Sequence, residues 1–211
     1  MGQDCPDLEM IIADANSKDN TREIAKFYGC RVVEGGLPAA GRNNGARVAR
    51  GDILIFADSD TIWPDNFLIL AIAEFEKRRL DVAGTLQTPI RNGYIIKDIE
   101  NKFYYELANF FMKLMENSRR PFMQVCMFVR KEVHETIGGF DESIWFGEDF
   151  EYAVRAVHRG YRFGILDNEK IQLSSRRFEK EGFLLAFKYL YYNLARFFGH
   201  EFRGEDKYHN K

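Results

Sequence analysis

The sequence predicts an α/β fold: a mainly parallel sheet flanked by helices on both faces, followed by a C-terminal amphipathic helical extension. Short apolar runs end repeatedly at Asp or Gly, as buried strands do, and helix-like segments with their own start signals separate them. Such β-α-β alternation over the first half implies parallel strands joined by crossover helices. At 211 residues the chain is long enough for one well-buried domain with an appendage.

The elements follow in order. Leu8 to Ala13 is a short apolar run closed by Asp14, and reads as a strand. Asn16 to Thr21 is turn chemistry that starts a helix reaching about Tyr28. Arg31 to Val33 is a second strand, closed by Gly35-Gly36, and Pro38 to Arg50 is helical with small Ala39, Ala46 and Ala49 on one face. Ile53 to Ala57 is a strand bounded by Gly51 and Asp58. Pro64 opens a helix to about Arg79, and Val82 to Leu86 is the next strand. Ile99, Phe103, Leu107, Phe110 and Leu114 form a helical stripe, expected to pack on the core or in a homodimer interface. Phe122 to Val129 reads as a strand and Lys131 to Ile137 as a short helix before Gly138-Gly139. A helix from about Gly147 to His158 precedes two strands, Tyr161 to Leu166 and Lys170 to Ser174. The last helix spans about Phe183 to Phe198. Its polar Lys188, Asn193 and Arg196 fall within an arc of about 140°. That division gives a core over 1–178 and an aromatic amphipathic helix with a polar tail over 179–211.

The bulk chemistry excludes several functions. A net charge of −2 is wrong for a protein that coats nucleic acid. The three cysteines, Cys5, Cys30 and Cys126, have no CxxC or zinc spacing and read as small buried hydrophobes in a reducing compartment. There is no GxSxG elbow, no P-loop ending and no triad-like histidine spacing. No apolar run is long enough to span a bilayer, and the N-terminus lacks signal-peptide character, so an intracellular location is expected.

Two carboxylate motifs stand out. In Asp58-Ser59-Asp60, carboxylates at i and i+2 leaving a strand can point the same way, and their hard oxygens suit Mg²⁺ or Mn²⁺. A cation there would bridge a nucleotide diphosphate. Taken alone, the triplet is better explained by Asp58 ending a strand and Asp60 capping a helix, because such triplets are common. Glu148-Asp149 opens a helix, where a carboxylate can also simply cap backbone N–H groups. Asp14, at the end of a strand, lies where open α/β sheets bind ligands.

The order of the motifs is more specific than any one of them. Asp14-Ala15-Asn16-Ser17 closes a strand, Arg42-Asn43-Asn44-Gly45 lies in a helix, Ile53 to Thr61 carries ILIFADSDT, and Gly138-Gly139-Phe140-Asp141-Glu142 precedes Gly147-Glu148-Asp149. From about Pro6 to Phe178 this succession resembles the family 2 glycosyltransferases, whose fold is the Rossmann-like GT-A sheet. The resemblance implies an inverting, metal-dependent transfer of sugar from a nucleotide-diphosphate-sugar donor to an acceptor hydroxyl or lipid phosphate. It implies that Asp14 contacts the base, that Arg42 lies near the nucleotide or its phosphates, and that Asp58 meets the ribose. Ser59 joins that donor set, and Asp58 and Asp60 hold Mg²⁺ or Mn²⁺. Asp149 would be the general base, with Glu148, Asp141, Trp145 and Arg176 on the acceptor side.

Two departures from the family pattern are visible. The family places a strand and helix ahead of the Asp14 strand, and residues 2–6 stand where that helix would end. This motivates the alternative of an N-terminally truncated, non-catalytic module that binds a sugar, a nucleotide or a partner. Gln172 to Phe178 is similar to the QxxRW element of processive members, but Arg176 is one residue late and no Trp follows. The aromatic terminal helix suggests peripheral contact with the inner face of the cell membrane, which would supply a lipid-linked acceptor. It is equally explained as a helix packed on the core or in a dimer interface. A glycan acceptor is the other partner the family resemblance allows.

Overall fold

In the computed structural model the described residues are 5, 7–90, 93, 95–123 and 126–174, with 191, 192, 195, 198, 199, 202 and 203 beyond them. The first half alternates as expected: β1 (Ile11–Asp14), α1 (Thr21–Phe27), β2 (Arg31–Glu34), α2 (Pro38–Val48), β3 (Ile53–Phe56), β4 (Thr61–Ile62), α3 (Phe67–Lys77) and β5 (Val82–Pro89). The second half holds α4 (Ile95–Met115), β6 (Met127–Arg130), α5 (Lys131–Ile137), β7 (Ile144–Phe146), α6 (Glu148–His158), β8 (Phe163–Leu173) and β9 (Phe202–Arg203).

Strands β1 and β2 form a parallel pair, and the central sheet has the order β3-β6-β5-β8-β4. The α/β class holds, but the pairing is mixed. β6 lies antiparallel between β3 and β5, and β4 is antiparallel to β8. β3, β5 and β8 nevertheless point the same way, because β5 and β8 are parallel. Inserting a single reversed strand thus leaves the ends of the major strands on one side of the sheet, where ligands bind.

Two apolar layers cover the sheet. Val82, Met127, Val129 and Ile165 pack with Ala39 and Ala46 of α2 and Tyr152, Ala153 and Ala156 of α6. Ala83, Phe128, Leu166 and Ile171 pack with Phe67, Leu68, Ala71 and Phe75 of α3. Neighbours Val82 and Ala83 enter opposite layers, the period of two expected of a strand buried on both faces.

Three local expectations change. The two strands expected over 161–174 are one, since β8 runs through exposed Asp167, Asn168 and Glu169. The polar interruption is carried by neighbours: Lys113 pairs with Asp167 at 2.9 Å, and Glu74 Oε2 accepts from Asp167 N–H at 3.1 Å. β6 begins at Met127, later than expected. The apolar stripe of α4 does not face the core. Tyr105, Ala108, Asn109 and Met112 are buried on the inner side, while Ile99, Phe103, Leu107, Phe110 and Leu114 are exposed. Burying Asn109 is compensated, because its side chain accepts from Gln87 N–H at 3.0 Å and donates to Gln87 C=O at 2.8 Å.

The helix expected over 183–198 and residue Arg176 lie largely or wholly outside the described residues. What is described beyond 190 returns to β7: Tyr192 meets the rings of Trp145 and Phe146, and β9 pairs antiparallel with β7. Among the described residues no helix is long and apolar enough to cross a membrane.

Candidate active site

β1 delivers Asp14 to its end, nearly buried. Its carboxylate accepts from the Arg22 guanidinium and from Ser17 N–H at 3.2 Å. Hydrogen bonds from Ser17 and Arg22 hold it below the usual carboxylate range. Gly35, just past β2, crosses directly against this strand end; a Cβ there would stand 2.6 Å from Ala15 N. Only glycine admits so close a backbone approach.

The end of β3 builds the second part. Asp58 C=O accepts from the Thr61 hydroxyl at 2.9 Å, and Thr61 Oγ1 in turn accepts from Trp63 Nε1–H at 3.0 Å. This turn exposes Ser59 and Asp60. Ser174 N–H donates to Asp60 C=O at 3.2 Å, so the far end of β8 meets the same loop.

Arg42 of α2 joins this loop to α6. Its Nη2–H donates to Asp58 Oδ1 at 3.0 Å, its Nη1–H donates to Glu148, and its guanidinium lies 5.5 Å from the Phe140 ring centroid. Burial works against the Arg42 charge, but Glu148, Asp58 and Asp149 outweigh it and raise its pKa. The carboxylates pay in the opposite sense: burial pushes Asp58 up, with Asp149 and Asp60 adding repulsion, and burial plus Asp149 push Glu148 up. One cation is therefore shared among several crowded carboxylates. Asp149, half-buried, accepts from Phe150 N–H at 2.8 Å through Oδ1.

Asn43, beside Arg42, fixes the loop that leads into α6. It accepts from Phe140 N–H at 2.8 Å and donates to Phe140 C=O at 2.9 Å and Glu142 Oε1 at 2.8 Å. Gly139 has φ +71°, and a Cβ on it would fall 2.6 Å from Asn43 Oδ1. Arg155 clamps the same loop from α6, donating to Ile137 C=O at 2.6 Å and Gly139 C=O at 2.7 Å. The sequence alone assigns neither Asn43 nor Arg155 a role, although Asn43 stands inside a motif that carries the resemblance.

The structure thus brings Arg42, Asp58, Asp60, Glu148 and Asp149 together. It places Asp14 at the neighbouring strand end with partners of its own. Asp141 closes a turn, accepting from Ser143 N–H and hydroxyl and lying 3.0 Å from Arg203 Nη1. The Ser143 bonds are the main cause of its lowered pKa. Trp145 lies in β7 against Tyr192.

Asp58 and Asp60 offer carboxylate oxygens past the end of β3, the hard donor type that a divalent cation takes. Mg²⁺ in particular takes one or two carboxylates plus substrate oxygens and not a full protein cage. Among the described residues no group of three or more His, Cys, Asp or Glu side chains is placed to hold a metal ion.

The pattern described as glycosyl transferase family 2 matches residues 1–138, well over half of the chain. The chain belongs to that family. Among curated relatives, glycosyltransferase AglE of Haloferax volcanii is 27% identical over 162 residues, covering 72% of this chain and 52% of the relative. The Bacillus subtilis glycosyltransferase EpsJ is 27% identical over 179 residues, covering 78% and 52%. The chain therefore spans about half the length of these relatives. Among solved structures, the mannosyltransferase PcManGT of Pyrobaculum calidifontis, in complex with GDP-Man and Mn²⁺, aligns with TM-score 0.63 at 21% identity, covering 81% of this chain and 49% of that one. Mycobacterium tuberculosis glucosyl-3-phosphoglycerate synthase, in complex with Mn²⁺, UDP and glucosyl-3-phosphoglycerate, aligns with TM-score 0.57 at 17% identity, covering 89% and 68%. At these identities the likeness shows the GT-A fold.

Proposed function

We propose that this chain is an inverting, metal-dependent hexosyltransferase that uses a nucleotide-diphosphate-sugar donor. The observation that carries the reading is the Arg42 bridge between Asp58 and Glu148, with Asp149 beside it. It gathers the phosphate-facing and acceptor-facing groups of three separated elements into one site. In this reading Asp14 meets the base, Asp58 and Ser59 the ribose and diphosphate, and Asp58 and Asp60 hold Mg²⁺ or Mn²⁺. The cation, when bound, neutralises charge that develops on the departing diphosphate.

Asp149 removes the proton from the acceptor hydroxyl as that oxygen attacks the anomeric carbon. The new carbon–oxygen bond forms as the carbon–phosphate-oxygen bond breaks on the opposite face, which inverts the anomeric centre. Glu148, tied to Arg42, keeps the base at the mouth of the donor site. The PcManGT complex with GDP-Man and Mn²⁺, a neighbour in fold, supports this reading.

Asp149→Asn tests this directly. Transfer, followed by release of nucleoside diphosphate, should fall by about 10²–10⁴-fold while donor binding is retained. Undiminished transfer in the variant would remove Asp149 as the base, and absent donor binding in both proteins would favour a non-catalytic module.

A further inference from the structure

We propose that the chain forms a two-fold symmetric homodimer in which the outer faces of two α4 helices pack antiparallel against each other. Ile99, Phe103, Leu107, Phe110, Phe111 and Leu114 are between 44% and 70% exposed. At 100° per residue they fall within an arc of about 120°, roughly opposite the buried side of the helix. Scattered exposed apolar residues are ordinary, but a continuous stripe four turns long is not. Its aromatic and aliphatic side chains present about 600 Å² per copy, so two copies would bury about 1,200 Å², the lower bound for stable specific interfaces.

The stripe is spaced to match itself. Reversed about a point between residues 106 and 107, Ile99 meets the partner's Leu114 and Phe103 meets the partner's Phe110, while Leu107 lies beside the axis, half a residue from it. That self-complementarity is what an isologous two-fold interface requires. The aromatic side chains would then interdigitate as ridges into grooves.

Direction and charge favour a second copy over a lipid surface. Glu106 pairs with Lys170, Lys113 with Asp167, and Glu116 accepts from Ile165 N–H, so α4 runs antiparallel to β8 along the flank of the sheet. The carboxylate site lies at the other end of β8, beside Ser174. A bilayer laid on the stripe would therefore run alongside the strands and would not face the site, whereas pairing two flanks leaves both sites open. Among the described side chains, Glu100 falls within the stripe's arc and Lys102, Glu106 and Lys113 lie along one border; two acidic and two basic groups form no basic collar of the kind interfacial helices carry.

Sedimentation velocity of the full chain at about 1–100 μM, compared with a Phe103→Glu/Phe110→Glu variant, tests the proposal. The wild type should sediment at twice the 24.7 kDa chain mass and the variant as a monomer. Both substituted side chains are exposed, so an unchanged circular dichroism spectrum and melting temperature show that the variant still folds. A wild-type monomer at 100 μM, or a variant that remains dimeric, would overturn the proposal. So would wild-type protein that floats as a monomer with phosphatidylcholine–phosphatidylserine vesicles and loses that binding in the variant.

Discussion

The two ends of the site are held in different ways. Asp14 is fixed by neighbours three and eight residues away, Ser17 and Arg22. Asp58 and Glu148 are fixed by a single arginine, 16 residues from one and 106 from the other. The first end is a local turn that any strand followed by a capped helix could build. The second exists only once β3, α2 and α6 have packed, so it ties this end of the site to the integrity of the whole fold.

Substituting the shared cation should break the long-range end most severely. Arg42→Gln leaves buried Glu148 and half-exposed Asp58 beside Asp149 without a counter-charge, and should cost about 2 kcal/mol in urea unfolding while abolishing detectable transfer. A loss of activity without destabilisation would mean that the arginine serves the donor alone.

Beneath this end, His134 is buried against Phe56, Phe140 and Tyr152, and its Nδ1 lies 3.0 Å from the Tyr152 hydroxyl. Burial, with Arg155 nearby, lowers its pKa from 6.5 to about 4. The unfolded chain therefore binds the proton more readily, and this group's contribution to stability is complete above pH 6.5 and lost as pH falls toward 4. The contribution amounts to roughly 3 kcal/mol at most. Asp58 and Glu148, raised by burial, act with the opposite sign in the acid range. The readout is therefore the difference between wild type and His134→Gln, whose stability should be less sensitive to pH between 6.5 and 4. Parallel curves would remove His134 from that role.

The smallest effect belongs to the local end. Arg22 is 46% exposed, so Arg22→Ala should change stability by less than about 1 kcal/mol. Its melting curve should nearly overlay the wild type's, and a larger shift would erase the contrast between the two ends.

The same contrast explains what the sequence made readable. β1, β2, β3 and β5 were found because each is an apolar run closed by Asp, Glu, Gly or Pro, a signal contained within a few residues. Asp14, Asp58 and Asp60 stand out as candidates through equally local patterns, a carboxylate at a strand end and a second one two residues on. The Arg42–Glu148 bond was not, because no local pattern marks a partner 106 residues away; only the order of motifs hinted that the two belong together. The antiparallel insertion of β6 was hidden likewise, since its apolar run reads the same in either direction. In α4, periodicity located a stripe but could not say which side meets the core. The buried side is partly polar, with Asn101, Asn109 and Glu116, and is compensated by partners on other elements. Phe163 to Leu173 was divided at Asp167 because the lysine and glutamate that accommodate its polar centre come from α4 and α3.

The central claim is that Asp58 and Asp60 form, with Arg42 and Asp149, one donor site dependent on a divalent cation. Calorimetric titration of UDP- and GDP-sugars, with and without Mn²⁺, into wild type and Asp58→Asn/Asp60→Asn measures it most directly. One of the donors should bind the wild type saturably only when Mn²⁺ is present, and the double variant should lose that binding while keeping its circular dichroism spectrum. Equal binding by the folded variant, or wild-type binding indifferent to Mn²⁺, would contradict the claim.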